Sequence, residues 1–299
     1  MIKQFILVVL CVAIGTLMFT LDSEARQPAK NAILVVSFGT SYADTRQATI
    51  EACEQKIATT FPEYTVRRAF TSSMIIKILK ERDNLLVDTP EEALQKLQQE
   101  GVTDVIVQPL HLITGEEFHE IVRVVSQYAS AFGNLRLGRP LLYSVEDYVA
   151  VIEAIKKQLP PLQPNEAVVF MGHGTAHPAN SAYGCLQYMF QEQGLTNVFM
   201  GTVEGYPEFE QVLKQLQAHK IQKVTLMPFM LVAGDHAQND MAGDQADSWK
   251  TMLKKEGFSV DVYLHGLGEN PAIQDIYVQH VKIAIEEQPQ EYQSEALIK

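Results

Sequence analysis

Three residues in the second half of the chain have the chemistry and the positions of metal ligands. His173 lies in MGHGTAHPAN (171–180), directly after the apolar run 167–170, Glu204 lies in TVEGYP, and His236 lies in VAGDHAQND. Two imidazoles and one carboxylate leave coordination positions open for water or substrate. This donor set favours Co²⁺, Ni²⁺, Fe²⁺ or Zn²⁺ over Mg²⁺ and Ca²⁺. A glycine within two residues of each candidate ligand lets a large, flat partner approach closely.

An internal repeat supports a function for these residues. ILVVSFGTS (33–41) resembles AVVFMGHGT (167–175), and GVTDVIVQPLHLITGEE (101–117) aligns without a gap with KIQKVTLMPFMLVAGDH (220–236). When the shared Gly-Thr pairs are superposed, Phe38 stands where His173 stands, and Glu117 stands where His236 stands. Residues on which the copies agree serve the fold. The second copy alone has two histidines and a carboxylate after its strands, which indicates a function specific to that copy.

Short β-branched runs that alternate with helical periodicity must position these residues. The predicted strands are 32–37, 65–70, 104–108, 135–138, 167–171, 197–201, 223–227 and 259–263. Amphipathic stretches between them predict helices over 45–60, 90–100, 117–131, 207–219 and 244–255. Nearly continuous apolar strands that alternate with helices indicate parallel sheets covered on both faces. Sites in such folds lie at the carboxyl ends of the strands.

The fold class is therefore α/β, with two similar domains, each a parallel sheet flanked by helices. We expect an N-terminal domain over 31–140, a C-terminal domain with the metal site over 141–270, and a helix over 271–287 that packs across both. A ligand site in the cleft between the two domains is a hypothesis that has no direct signature in the sequence.

The first 25 residues resemble a secretory signal. Residues 1–4 carry a positive charge, residues 5–21 are almost unbroken apolar, and Ser23 and Ala25 suit a cleavage site after Ala25. An uncleaved anchor is the alternative. After cleavage we expect a periplasmic protein without a stable membrane span. The net charge of −12 argues against a nucleic-acid partner.

The remaining histidines and cysteines have weaker signals. His177 is a candidate for a substrate contact, His265 for the rim of the site, and His111 or His119 for a second ligand such as haem. His219 and His280 are expected to be solvated, and Cys53 and Cys185 to be small buried side chains without a disulfide. Residues Phe118, Ile121 and Val122 look exposed and suggest a homo-oligomer.

Other chemistries fit less well. Neither glycine-rich turn has the GxxxxGK[ST] or GxGxxG spacing of a phosphate loop, and a Ser–His or Cys–His hydrolase would need a nucleophile elbow that is missing. A metal-dependent hydrolase would need a water-activating carboxylate distinct from the ligands, and Asp235 or Asp240 could serve as one.

Five stretches together resemble one family: SFGTS, QPLHLITGEEFHEI, MGHGTAHPAN, GTVEGYP and MPFMLVAGDHAQNDMAGD. They are similar to the anaerobic sirohydrochlorin cobaltochelatases of the two-domain CbiK type, over essentially all of residues 31–287. The resemblance implies a ferrochelatase-like fold and insertion of Co²⁺ into sirohydrochlorin without ATP. It implies that His173, Glu204 and His236 bind the metal and that His173 accepts a proton.

Several points stay open beside the resemblance. A secretory signal is unusual for an enzyme of cobalamin biosynthesis, so the metal could be Fe²⁺, the substrate a related tetrapyrrole, and a bound haem is conceivable. A periplasmic carrier of metal or tetrapyrrole would use the same three residues without turnover. Arginines of the first half are expected to bind the carboxylates of the ring: Arg46, Arg67, Arg68, Arg123 and Arg136.

Overall fold

A computed structural model describes residues 30–286 of the 299-residue chain. The predicted signal segment, residues 1–25, lies outside the described residues. The strands are β1 (Asn31–Ser37), β2 (Thr65–Phe70), β3 (Asp104–Pro109), β4 (Asn134–Leu137), β5 (Glu166–Gly172), β6 (Val198–Thr202), β7 (Lys223–Phe229) and β8 (Ser259–Val262). The helices are α1 (Ala43–Arg46), α2 (Ala52–Thr60), α3 (Ser73–Asp83), α4 (Pro90–Gln99), α5 (Glu116–Tyr128), α6 (Val145–Lys156), α7 (Ser181–Glu192), α8 (Phe209–Ala218), α9 (Trp249–Lys255) and α10 (Pro271–Glu286).

The strands form two parallel four-stranded sheets with the same order. The first sheet runs β2-β1-β3-β4 and the second runs β6-β5-β7-β8. In the first sheet β1 pairs with β2 and β3, and in the second sheet β5 pairs with β6 and β7. A duplicated unit requires this shared pairing. The α/β class and the eight predicted strands are thereby confirmed. Helices α3 and α6 were not among the predicted helices.

Both faces of the central strands are buried, which explains their continuous apolar sequences. Along β1, Ile33 and Val35 face one core cluster while Leu34 and Val36 face another. Successive side chains of a strand point to opposite faces, so both sets must be apolar where helices cover both sides. One of these clusters includes residues of both sheets, with Phe70 and Phe170 among them.

The final helix packs against elements on both sides of residue 140. Tyr277 of α10 is buried and donates a hydrogen bond from its hydroxyl to the Leu110 carbonyl at 2.9 Å. His280 of the same helix is buried, with its Nε2 2.9 Å from Asp147 Oδ1 and its Nδ1 3.1 Å from the Arg139 carbonyl. The expectation that His280 is solvated was therefore wrong, because this side of α10 faces α6 and the chain that leads into it.

The domain limits 31–140 and 141–270 stay a prediction. The two sheets fall on either side of residue 140, and the described chain from Asn31 onward groups into one unit. Among the described residues, no helix has the length and apolar content that crossing a bilayer requires.

The apolar residues that suggested an oligomer lie inside the protein. Phe118, Ile121 and Val122 of α5 are buried in the core cluster between this helix and the first sheet. Their spacing of three and four residues marks the core-facing stripe of an amphipathic helix. The homo-oligomer expectation loses this support.

Candidate metal site

The register of the second sheet brings the predicted ligands to one edge. Gly172, the last residue of β5, pairs with Thr202 of β6 and with Phe229 of β7. His173 follows β5 directly, and Glu204 follows β6 by two residues. His236 lies in the loop after β7. Three adjacent parallel strands thus end side by side, each followed by a candidate ligand.

The three ligand atoms form a compact cluster. One nitrogen from each imidazole of His173 and His236 and one carboxylate oxygen of Glu204 all lie within 4.8 Å of one another. The two imidazole rings are 4.7 Å apart between centroids and nearly perpendicular, at 89°. His173 and Glu204 are exposed and His236 is half-buried. The predicted ligands are therefore brought together, and they face solvent on one side.

The hydrogen bonds of His173 and His236 determine which ring nitrogen is available to bind a metal. His173 donates from Nδ1 to the Gly174 carbonyl at 2.8 Å. His236 donates from Nδ1 to Asp240 Oδ2 at 2.6 Å. A carbonyl or carboxylate acceptor at Nδ1 requires the proton there, so in the neutral imidazole the lone pair is on Nε2. A metal-binding histidine is commonly oriented in this way.

Backbone contacts hold the loops of His173 and Glu204 together. The Glu204 amide donates to the His173 carbonyl at 2.8 Å, which extends the strand pairing beyond β5 and β6. Gly174 has φ +82°, and a Cβ there would lie 2.6 Å from the Gly205 nitrogen. Only a glycine combines this backbone conformation with so close an approach. The glycine after His173 thus serves the position of Glu204.

Asn180 joins the same two loops through its side chain. Its Oδ1 accepts from the Thr175 amide at 3.1 Å, and its Nδ2 donates to the Tyr206 carbonyl at 2.7 Å. This role was not predicted from the sequence because it depends on a contact between separate loops. Asp240 was also not predicted as the partner of His236, although their spacing of four residues was a usable signal.

The end of β1 faces this site from the first half. Tyr42 donates its hydroxyl to Asp235 Oδ1 at 3.2 Å. A Cβ at Gly234 would lie 3.9 Å from Thr40 Oγ1. Residues 40–42 therefore contact the loop that carries His236. Phe38, the counterpart of His173, is 49% exposed at the end of β1.

The other histidines lie outside the ligand cluster. The rings of His119 on α5 and His177 are in contact, with centroids 4.9 Å apart. The two ring nitrogens of His111 are buried and have no hydrogen-bond partner among the described residues, and this burial lowers the pKa of His111 to about 4. His265 pairs with Glu269, away from the three ligands, and His219 is exposed as predicted.

The two cysteines differ in exposure. Cys53 is buried and Cys185 is exposed, and both are free thiols. The absence of a disulfide between them agrees with the prediction, whereas the expected burial is wrong for Cys185. That residue lies on the exposed side of α7, where its Sγ is 4.0 Å from Sδ of Met189, one turn along the helix.

The arginines expected to bind the ring carboxylates are engaged elsewhere. Each forms an ion pair within the first half: Arg46 with Glu51, Arg67 with Glu100, Arg68 with Glu51 and Glu54, Arg123 with Glu120, and Arg136 with Asp104. The cationic rim inferred from their sequence positions is therefore largely neutralised by neighbouring carboxylates.

Comparisons with known proteins show which proteins this chain is similar to. Among curated relatives, the sirohydrochlorin cobaltochelatase of Salmonella typhimurium is 48% identical over 256 residues, covering 86% of this chain and 97% of its own. The sirohydrochlorin cobaltochelatase CbiKC of Nitratidesulfovibrio vulgaris is 35% identical over 263 residues, covering 86% and 91%.

Solved structures share the architecture at lower identity. SirB from Bacillus subtilis, solved with Fe³⁺, has a TM-score of 0.58 and 20% identity, covering 85% of this chain and 95% of SirB. This likeness extends to the fold. Residues 31–286 also match the profile of the cobalt chelatase (CbiK) family, which is the family that the five sequence stretches resemble. The chain therefore belongs to the cobalt chelatase (CbiK) family.

Proposed function

We propose that the protein is a sirohydrochlorin cobaltochelatase, which inserts Co²⁺ into sirohydrochlorin. The observation that carries the proposal is the cluster of His173, Glu204 and His236 at the carboxyl edge of the second sheet. Its donors suit a borderline divalent ion, and its ligands are held at open strand ends rather than in a closed cage. The 48% identity to a curated sirohydrochlorin cobaltochelatase over most of both chains supports the same activity.

The site would hold the incoming Co²⁺ on one side only. Nε2 of His173, Nε2 of His236 and a carboxylate oxygen of Glu204 supply three donors, and the remaining positions face the exposed side of the cluster. A solvated ion can shed water there and meet the nitrogens of a macrocycle. A site with four or more protein ligands would instead retain the metal.

The charge balance of insertion fits these ligands. Two pyrrole N–H groups each lose a proton when the macrocycle takes up a divalent ion. As the ion leaves the protein, each ligand recovers a lone pair that can accept a proton. We assign one proton to Nε2 of His173 and the other to the carboxylate of Glu204. The site thus exchanges one Co²⁺ for two protons, and its net charge stays the same.

The macrocycle is proposed to lie between the edges of the two sheets. The loop after β1 meets the loop of His236 through Tyr42 and Asp235, so the first half supplies the wall opposite the ligands. Phe38 presents an exposed aromatic ring at the position that His173 occupies in the second half. An apolar ring face on that wall suits the flat face of a tetrapyrrole.

We further propose that insertion needs no ATP and that the protein acts in the periplasm after cleavage following Ala25. The first point is supported by the missing phosphate-loop spacing in both glycine-rich turns. The second is supported by the apolar run 5–21 between a basic start and small residues. Fractionation of cells that produce the full chain, with N-terminal sequencing of the product, tests it.

His173→Ala tests the proposed activity. We expect insertion to be abolished, because both a metal donor and a proton acceptor are lost, while the circular dichroism spectrum stays unchanged. Retained activity with unchanged Co²⁺ affinity would overturn the assignment.

A carrier that uses the same three residues would not turn over. The purified mature protein is mixed with an excess of sirohydrochlorin and Co²⁺, and the absorbance spectrum of the macrocycle is followed. Many conversions per protein molecule are expected, whereas conversion that stops at one equivalent would indicate a carrier.

A further inference from the structure

The rings of His119 and His177 meet between the two halves of the chain. His119 lies in the first turn of α5, which follows β3 of the first sheet, and His177 lies in the loop after β5 of the second sheet. Their centroids are 4.9 Å apart with an interplanar angle of 74°. Both side chains are half-buried. The proposed mechanism uses neither of them.

The tautomer of His177 is fixed by its own loop. The backbone amide of Ala179 donates to Nδ1 of His177 at 3.1 Å. Since a backbone amide always donates, Nδ1 carries no proton in this arrangement and Nε2–H remains as a donor. A metal ligand would need a lone pair on Nε2. His177 is therefore built to donate a hydrogen bond, in contrast to His173 and His236.

The ring of His119 is available on the same side. It forms no hydrogen bond with another described residue, and neither of its nitrogens is among the buried unpaired atoms. No contact fixes its tautomer, so it can donate from either nitrogen. Two adjacent imidazole donors in contact with solvent suit an anionic acceptor, above all a carboxylate.

The pair lies within reach of a macrocycle above the metal ligands. His177 follows His173 by four residues, which span at most about 14 Å. The same loop is held to the Glu204 loop by Asn180. A tetrapyrrole centred on the metal ligands would bring its rim, rather than its nitrogens, toward such a position. The rim of sirohydrochlorin carries acetate and propionate side chains.

These carboxylates need donors that the arginines of the first half do not readily supply. All five arginines predicted for this purpose are ion-paired with glutamate or aspartate side chains. Releasing Arg68 or Arg136 to the substrate would leave a mostly buried partner carboxylate uncompensated. The imidazoles of His119 and His177 have no such competing acceptor.

We infer that His119 and His177 form a subsite for a peripheral carboxylate of the tetrapyrrole. The subsite bridges the two halves, so it orients the ring over the metal ligands and holds the sheet edges around it. The inference rests on the proposed function and names a substrate contact for it.

The test uses His177→Asn and His119→Asn, singly and together, in steady-state insertion of Co²⁺ into sirohydrochlorin. Asparagine at 177 can still accept the Ala179 amide, because it is among the favoured residues at that position, but it lacks the imidazole donor. His219→Asn is the matched control, because the exposed imidazole of His219 also contacts an aromatic ring, that of Phe199. His219 lies at the C-terminal end of α8, before β7.

Each single variant is expected to raise KM for sirohydrochlorin about ten- to a hundredfold, the range of a hydrogen bond to a charged group. We expect kcat, KM for Co²⁺ and the control variant to stay within twofold of the wild type. The double variant should lose less than the product of the single effects, because both residues bind one carboxylate.

Two results would overturn the inference. One is unchanged KM for sirohydrochlorin in both single variants. The other is a change in kcat or in KM for Co²⁺ with sirohydrochlorin affinity unaffected, which would place the pair at the metal. A wild-type protein that shows no turnover would contradict the proposed function instead, and an absorbance titration with sirohydrochlorin alone would then still measure the subsite.

Discussion

Asp240→Ala removes the carboxylate that orients His236. The two residues are four apart, with His236 capping the π-helical segment Ala237–Met241 that contains Asp240, and Nδ1 and Oδ2 are 2.6 Å apart. While this bond exists, the proton stays on Nδ1 and Nε2 is directed for metal binding. Without it, the ring can rotate about its side-chain bonds and the proton can move to Nε2. Fewer molecules then present a ready donor.

The size of the effect follows from the exposure of the pair. Loss of such an orienting carboxylate typically lowers metal affinity about 10- to 100-fold. Here the side chains of His236 and Asp240 are 33% and 46% exposed, so solvent screens the charge of the carboxylate. The hydrogen bond still orients the His236 ring. We therefore expect the lower end of the range, about tenfold, which corresponds to about 1.4 kcal/mol.

Calorimetric titration with Co²⁺ in the absence of tetrapyrrole measures the affinity directly. Steady-state insertion should show the same change in KM for Co²⁺, with KM for sirohydrochlorin unaffected. Asp240→Asn is the control, because its amide oxygen can accept the same Nδ1–H while the charge is removed. We expect it to lose clearly less affinity than Asp240→Ala. Co²⁺ affinity within twofold of the wild type in Asp240→Ala would refute the orienting role.

Two further substitutions test other parts of the chain. Asn180→Ala removes both hydrogen bonds that join the loops of His173 and Glu204. We expect kcat/KM for Co²⁺ insertion to fall about tenfold, with an unchanged circular dichroism spectrum. A fall no larger than twofold would contradict the proposed role of Asn180 in holding the two loops together. His111→Leu removes a buried imidazole whose pKa is lowered by burial from 6.5 to about 4. The unfolded chain binds this proton first as pH falls, so the wild type should lose up to about 3 kcal/mol of unfolding free energy between pH 6.5 and 4 that the variant keeps. Parallel urea titrations over this range measure the difference, and identical pH profiles would contradict it.

The strands were predictable from local sequence pattern. The edge of the second sheet at which the candidate ligands lie was predictable from elementary geometry. A strand buried on both faces must be apolar throughout, as β1 and β5 are, and the carboxyl ends of adjacent parallel strands must meet. Alignment of the two copies then shows that Phe38 occupies the position of His173, which marks His173 as specific to the second copy without any knowledge of the fold. These inferences need only the order of residues along one segment and the chirality of the connections.

The partners of charged and polar side chains were not predictable in this way. Arg68 reaches Glu54 and His280 reaches Asp147 because helices pack at particular angles, which the sequence does not encode locally. Periodicity likewise shows that Phe118 and Ile121 share a face of α5, but it does not show whether that face meets the sheet or a second subunit. Contacts between separate elements decide such questions, and they decided against a solvated His280 and an exposed apolar face of α5.

The turn that is repeated after β1 and β5 explains how two similar halves of the chain present different side chains at equivalent positions. Gly39 and Gly174 have nearly the same positive φ, +94° and +82°, so the chain leaves both strands in the same direction. The preceding residue therefore projects from equivalent positions, as Phe38 in one half and His173 in the other. A metal site on both edges would trap the ion between two ligand sets, whereas an aromatic ring opposite a metal site leaves the macrocycle nitrogens as the remaining donors. With the macrocycle placed as proposed, Phe38 opposite His173 adds to the other differences between the copies in favouring transfer of the ion to a ring over its retention by the protein.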